Sequence, residues 1–225
     1  MKETRILFDD PHSPLSPGTF LDSLLSRLKT NWMRSVYPFA AVGPGFWAHH
    51  SSDIRRCIAP YIKFGNGVKL DKHVWLTIPF IPKSSDPVIV LDDGCLIGRR
   101  CMISAQNRVH IERNTVFGPQ ALVMDHNHEF EDVRLPIVDQ GTTDGGTIRI
   151  GEGCWIGFGA AIVCGKGELV IGRNSVIGAN AVVTRSVPPY SVVTGNPARV
   201  VKSFEAEKGS WVMGSSRVTE PGSAK

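Results

Sequence analysis

No run of about 18 apolar residues occurs in this sequence, so no segment reads as a transmembrane helix. The first residues, Met-Lys-Glu-Thr-Arg, lack the basic-then-apolar layout of a secretion signal, which makes the cytoplasm the expected location. Cysteine is scarce. The five present (57, 95, 101, 154 and 164) are odd in number and include no C-x-x-C pair, so neither a disulfide scaffold nor a structural zinc site is expected. The net charge of +4 comes from scattered basic residues; it suits anionic ligands such as phosphates but lacks the stripe that nucleic-acid binding requires. Missing too is any amphipathic helical pattern between 70 and 187, which an α/β domain would need between its strands.

What the chain does have is turns and a period. Its 23 glycines and 15 prolines follow no three-residue rule and so mark turns, not a collagen-like or linker sequence. From Ile150 the sequence reads IGEGCW, IGFGAA, IVCGKG, and from Ile171 IGRNSV, IGANAV, VTRSVP. Each unit opens with an aliphatic residue, often has Gly second, and usually has a small residue fifth. LDDGCL, IGRRCM and ISAQNR (91–108) keep the frame, as do IERNTV, FGPQAL and VMDHNH (111–128), and LDKHVW and LTIPFI (70–81). Three hexapeptides make one triangular turn of about 18 residues. Turns opening at 70, 91, 111, 150 and 171 are separated by 21, 20, 39 and 21 residues, so a long excursion leaves the repeat after Ile111.

Short strands are unstable alone, but identical strands stacked on one another bury a continuous aliphatic column and satisfy each other's backbone groups. The predicted fold is therefore an all-β solenoid, a parallel β-helix, with corners that suit Gly second and place Cys95, Cys101 and Cys154 among the small packing residues. Upstream, Thr19–Tyr37 reads as a helix. Thr19 and Asp22 resemble a capping box, and Phe20, Leu21, Leu24, Leu25, Leu28 and Trp32 form an apolar stripe. The stripe is expected to pack on the solenoid end or a neighbouring subunit; Arg27, Lys29 and Arg34 leave a peripheral membrane contact open as the alternative. The expected organisation is a helical and irregular segment over 1–55, the β-helix over 56–204 with an excursion at 125–147, and a polar tail over 205–225 whose last dozen residues are expected to be disordered.

The repeats, the His-bearing excursion and the ending PPYSVVTGNPAR (188–199) together resemble the hexapeptide-repeat acyltransferases, in the galactoside, maltose and polysaccharide O-acetyltransferase branch. The resemblance covers about residues 60–204. It implies a left-handed coil, a homotrimer with acetyl-CoA between adjacent solenoids, and a sugar or glycoconjugate acceptor. It also implies that the base is the first His of a short run where the excursion begins, a position that matches His126. By the same matching, Ala179, Thr184, Arg185, Arg199 and Lys202 fall where the family contacts CoA, and Trp155, Phe158 and Gly159 where it lines the pantetheine arm. Ser104 stands where the sugar acetyltransferases carry Asn, which leaves acceptor preference open.

The chemistry agrees with that placement. Moving an acetyl group from a thioester to a hydroxyl requires removal of one proton, and histidine titrates in the right range without strong perturbation. Asp125 or Glu129 would fix the ring tautomer of His126, with His128 as a rival base. A backbone N–H in the Trp155–Gly159 corner would stabilise the oxyanion, although Trp155 suits a subunit contact equally well. No cysteine lies in the excursion, so direct attack within a ternary complex is expected. Three other readings stay open: N-acylation of an amino sugar, a zinc-dependent γ-type carbonic anhydrase, and a non-catalytic solenoid. The zinc reading needs an H-x4-H pair, and after His50 the only close pair is His126-x-His128.

Overall fold

As far as Val183, every third strand joins the same sheet. The computed structural model describes residues 17–80, 82 and 84–213. One sheet stacks Ala41–Val42, Ile62–Phe64, Ile89–Leu91, Arg108–Ile111, Gly145–Ile150 and Lys166–Ile171 in parallel. A second runs from Trp47–Ala48 up to Val176–Ile177 and Ser191–Thr194, and a third from Asp53–Ile54 to Val182–Val183. The three sheets are the faces of a prism around which the chain winds, a parallel β-helix whose interior is filled by the first residue of each hexapeptide. Phe64, Leu91, Ile111, Ile150 and Ile171 stack in register on one face, all buried.

That register corrects the frame read from sequence. Leu70 lies beneath Ile97 on the second sheet, and the residue beneath Leu91 is Phe64. The coil also starts earlier than residue 56, because Val42 pairs with Phe64, Ala48 with Leu70 and Ile54 with Leu76. Aromatic and proline residues in VGPGFW (42–47) and FGNGVK (64–69) obscure a repeat whose second-position glycines are nonetheless in place. At the other end, Arg199–Glu205 and Ser210–Met213 fold back as antiparallel strands that extend the second sheet, so the segment after 204 begins as a strand pair. The last dozen residues lie outside the described residues.

The corners carry the glycines and small packing residues expected there, and the structure shows how each is used. The second-position glycines hold ordinary backbone angles; they are needed because a Cβ at Gly157 would stand 2.7 Å from the backbone nitrogen of Ala179 on the next turn. From the third turn on, the fifth positions between the first and second sheets are hydrogen-bond donors as well as packing residues, where the first two turns carry Phe46 and Val68. Cys95 Sγ donates to the Glu112 carbonyl at 3.2 Å, Thr115 Oγ1 to Gly151 at 3.1 Å, Cys154 Sγ to Gly172 at 3.2 Å and Ser175 Oγ to Pro188 at 3.0 Å. Burial pushes the Cys95 thiol up to about 12 and those of Cys101 and Cys154 to about 11, so all three are protonated, weakly reactive thiols.

Helix α1, Pro17–Val36, sits across the open end of the coil. It begins before Thr19, and Asp22 turns its carboxylate to Lys72, His49 and His50 instead of to the helix N-terminus. The face it turns to the coil is mostly polar. Thr30 Oγ1 bonds both the N–H and the carbonyl of Ala48 at 3.0 Å, Ser26 Oγ accepts the His50 N–H, Lys29 Nζ donates to the His50 and Ser52 carbonyls, and Arg34 donates to Gly43. These are edge groups of the first turn with no strand below them, and an unpaired edge needs polar partners more than apolar ones. Met33 alone plugs the core. The apolar stripe accordingly points away from the coil, with Leu28 58% and Trp32 51% exposed.

Candidate active site

The excursion leaves the third sheet after Met124 and re-enters the first at Gly145. Asp125, the first residue out, is fully buried and turns its carboxylate back under the preceding turn. Oδ1 accepts the Gln106 N–H at 2.7 Å, and Oδ2 accepts those of Asn107 and Arg108 at 2.8 Å. Oδ1 also lies 2.9 Å from Nδ1 of His126. A carboxylate in that position accepts, so Nδ1 carries the proton and Nε2 presents its lone pair, as a general base must. His126 is 8% exposed.

The rest of the loop base holds this pair in place. His128 and Thr142 form an antiparallel bridge, the Thr143 N–H donates to the Asn127 carbonyl at 2.8 Å, and the Gln106 side-chain amide donates to Thr143 at 2.9 Å. The returning arm passes behind His126 at Gly145, whose φ of +81° and 3.2 Å separation of a built Cβ from the Asp125 carbonyl leave little room for a side chain. The Gly146 N–H donates to that same carbonyl at 2.6 Å. Gly165, one turn on, makes room for the Asn127 side chain. None of Gln106, Asn107, Gly145 or Gly165 was singled out by the sequence reading. The available signal was the two residues, Val109 and His110, inserted between ISAQNR and the next turn, and the Gly-Gly pair that ends the excursion.

Glu129 is half-buried and makes no hydrogen bond to the His126 ring, while His128 is exposed and its ring has no hydrogen-bond partner among the described residues. Ser104 is buried on the neighbouring strand, where its carbonyl accepts the Asp125 N–H at 3.3 Å. Thr184 and Arg185 are exposed and share the corner of Asp125 and His126, because Met124 stacks on Val163 and Ile162 on Val183. With strands about 4.8 Å apart, they lie about 10 Å along that edge. The other residues form a second group. Trp155 is on the second sheet, Phe158, Gly159 and Ala179 on the corner beyond it, and Arg199 and Lys202 on the strand added to that sheet. Within one chain the third sheet separates this group from His126.

In the Trp155–Gly159 corner, three amides are engaged: Trp155 with Ser175, Gly157 with Ile177 and Gly159 with Pro119. The Phe158 amide meets no acceptor among the described residues and is the free donor of that corner. Phe158 and Trp155 are both largely exposed around it.

One cluster among the described residues brings three metal-ligating side chains together: Asp22, His49 and His50. Its protons are wrong for a cation. The Ser51 N–H donates to His49 Nδ1 at 3.1 Å, which puts the neutral ring's proton on Nε2, the atom facing Asp22, and Lys72 already neutralises that carboxylate. The cluster anchors α1.

Comparison with known proteins places these features in company. No family model matches the chain. A provisionally named acetyltransferase of Mycobacterium tuberculosis is 34% identical over 111 residues, 49% of this chain and 36% of that protein. A provisionally named lipopolysaccharide-biosynthesis O-acetyl transferase of Escherichia coli K12 is 28% identical over 130 residues, covering 55% of this chain and 65% of that protein. The chain thus spans about a third to two-thirds of the length of these relatives. Among solved structures, an N-acyltransferase from Bacillus cereus in complex with dTDP and 3-hydroxybutyryl-CoA superposes with a TM-score of 0.63 over 80% of this chain and 90% of that one. At 15% identity that likeness establishes a shared fold.

Proposed function

We propose that the protein is an acyltransferase that moves the acetyl group of acetyl-CoA to a hydroxyl of a sugar or glycoconjugate, with His126 as general base and Asp125 as the group that orients it. The observation that carries this reading is the His126 ring, bonded through Nδ1 to a buried carboxylate so that Nε2 faces outward. The acceptor hydroxyl gives its proton to Nε2 as its oxygen attacks the thioester carbon. The tetrahedral intermediate then collapses, the C–S bond breaks, and the CoA thiolate takes the proton back from the imidazolium. No covalent enzyme intermediate forms.

The reading includes a left-handed coil and a homotrimer in the cytoplasm, with each site assembled between two copies. The separation of His126 from the Trp155 group within one chain supports that arrangement, since a neighbouring copy can supply what the first lacks. The exposed apolar residues Phe130, Val133, Ile137 and Val138 of the excursion also support it, as a surface that a neighbour would cover. The free Phe158 amide of the adjacent copy would then donate to the oxyanion, with Arg185, Arg199 and Lys202 available to the CoA phosphates.

Release of free thiol from acetyl-CoA, followed across paired hydroxyl and amino sugars, tests the proposal. Turnover with a hydroxyl acceptor that is lost in His126→Ala supports it. Turnover confined to amino sugars would replace it with N-acylation, and acetyl-CoA that neither binds nor turns over would leave a non-catalytic solenoid.

A further inference from the structure

Helix α1 has two faces with different fates. Ser26, Lys29, Thr30 and Met33 are committed to the coil end, while Phe20, Leu21, Leu24, Leu25, Leu28 and Trp32 form an outward apolar face without a charged residue in it. At 100° per residue those six side chains span well over a quarter of the helix circumference, the width of a face that is normally buried. Arg27 and Arg34, seven residues apart and both exposed, line one border of it. The surrounding end of the molecule is basic. Residues 20–80 hold eight Lys or Arg against three Asp or Glu, an excess of five positive charges, more than the whole chain's +4. Arg55, Arg56, Lys63 and Lys69 of this end are all exposed.

We infer that the outer face of α1 lies in the surface of an anionic lipid bilayer, docking the coil by its first turn. Leu, Phe and Trp side chains would enter the boundary between headgroups and acyl chains, and the flanking arginines would meet acidic headgroups. The charge argues for lipid over a second copy of the chain. Joining two such ends would bring two excesses of five positive charges together, whereas an acidic surface neutralises them. The helix need not unfold or detach to bind, because the bonds of Ser26, Lys29 and Thr30 to Ala48, His50 and Ser52 are on the opposite face; Arg34, at the border, already donates to Gly43.

Flotation of the full chain with vesicles tests this inference independently of the proposed chemistry. Vesicles of phosphatidylcholine and phosphatidylglycerol at 3:1 are expected to carry the protein. Pure phosphatidylcholine vesicles, or the mixed vesicles in 0.5 M salt, are expected to carry at least tenfold less. Replacement of two exposed leucines in L24D/L28D should abolish flotation while leaving the thermal midpoint and thiol release with a soluble acceptor unchanged; Arg27→Glu should weaken it severalfold. Wild-type flotation by L24D/L28D, or no flotation of the native chain on any acidic vesicle, would overturn the inference. So would a drop in oligomeric state of L24D/L28D in sedimentation, which would assign the face to contact between copies.

Discussion

Two corners of the same prism use side-chain-to-backbone hydrogen bonds in opposite ways. Between the first and second sheets, Cys95, Thr115, Cys154 and Ser175 repeat one device, a small donor that closes on the carbonyl of the next turn. Between the third and first sheets, Asp125 does something once. It is an acceptor, it reaches to the preceding turn, and it gathers three amides while holding a histidine. The first corner distributes its bonds so that each one matters little. The second concentrates them in one carboxylate, and with them the orientation of the His126 ring. Repetition stabilises a solenoid, and a single departure from it makes a site.

The sharpest way to break this comparison is His126→Ala. Loss of a positioned base should lower turnover by about 10²- to 10⁴-fold with folding intact, while His128→Ala stays near the native rate; thiol-release kinetics on both variants check it. Asp125→Asn should be the most damaging change to stability, since its amide group must face one of three N–H donors. Urea denaturation should register a loss of about 3 kcal/mol, and activity should fall as well because the ring is no longer held. Gly145→Ala forces a side chain into the left-handed region behind His126 and should cost about 1–2 kcal/mol by the same measurement. At the repeated corner, Cys154→Ala should cost only about 1 kcal/mol and leave turnover unchanged. An equal penalty at Cys154 and Asp125 would remove the distinction between the corners.

The smallest effect is expected at the end cap. Burial is the main cause that holds His49 below its ordinary value of 6.5, so the folded state favours the neutral ring. A depressed value means that this contribution is complete above pH 6.5 and is lost as pH falls through the lower folded value. Asp22, held below the carboxylate range chiefly by Lys72, loses its contribution in the same direction at lower pH. Thermal midpoints measured from pH 7 downwards should therefore decline, and His49→Gln should flatten the first part of that decline.

The sequence made most of the coil legible because its signal is periodic: an aliphatic residue every six positions needs no knowledge of what lies across the fold. The same rule misplaced Leu70 by one hexapeptide, since a stretch without loops reads alike in every frame and only pairing with Ile97 decides the face. His126 could be picked from the break in the repeat. Its orientation by Asp125 over Glu129 could not, because the choice depends on amides 106–108, a full turn away along the chain. The apolar stripe of α1 was visible, but its direction was not. Hydrophobic periodicity says that a face exists; the hunger of an unpaired sheet edge for polar groups decided which face the coil received.

The helix that closes the coil also makes the solenoid a ruler. The third sheet reaches Met124 on its fourth strand, three strand spacings of about 4.8 Å above the strand at Asp53–Ile54, so His126 stands about 14 Å above the first turn along the coil axis. Inserting one complete turn below it would raise the histidine by a single increment and disturb neither the cap nor the corner of Asp125 and His126. The height of His126 above α1 is thus written in whole turns.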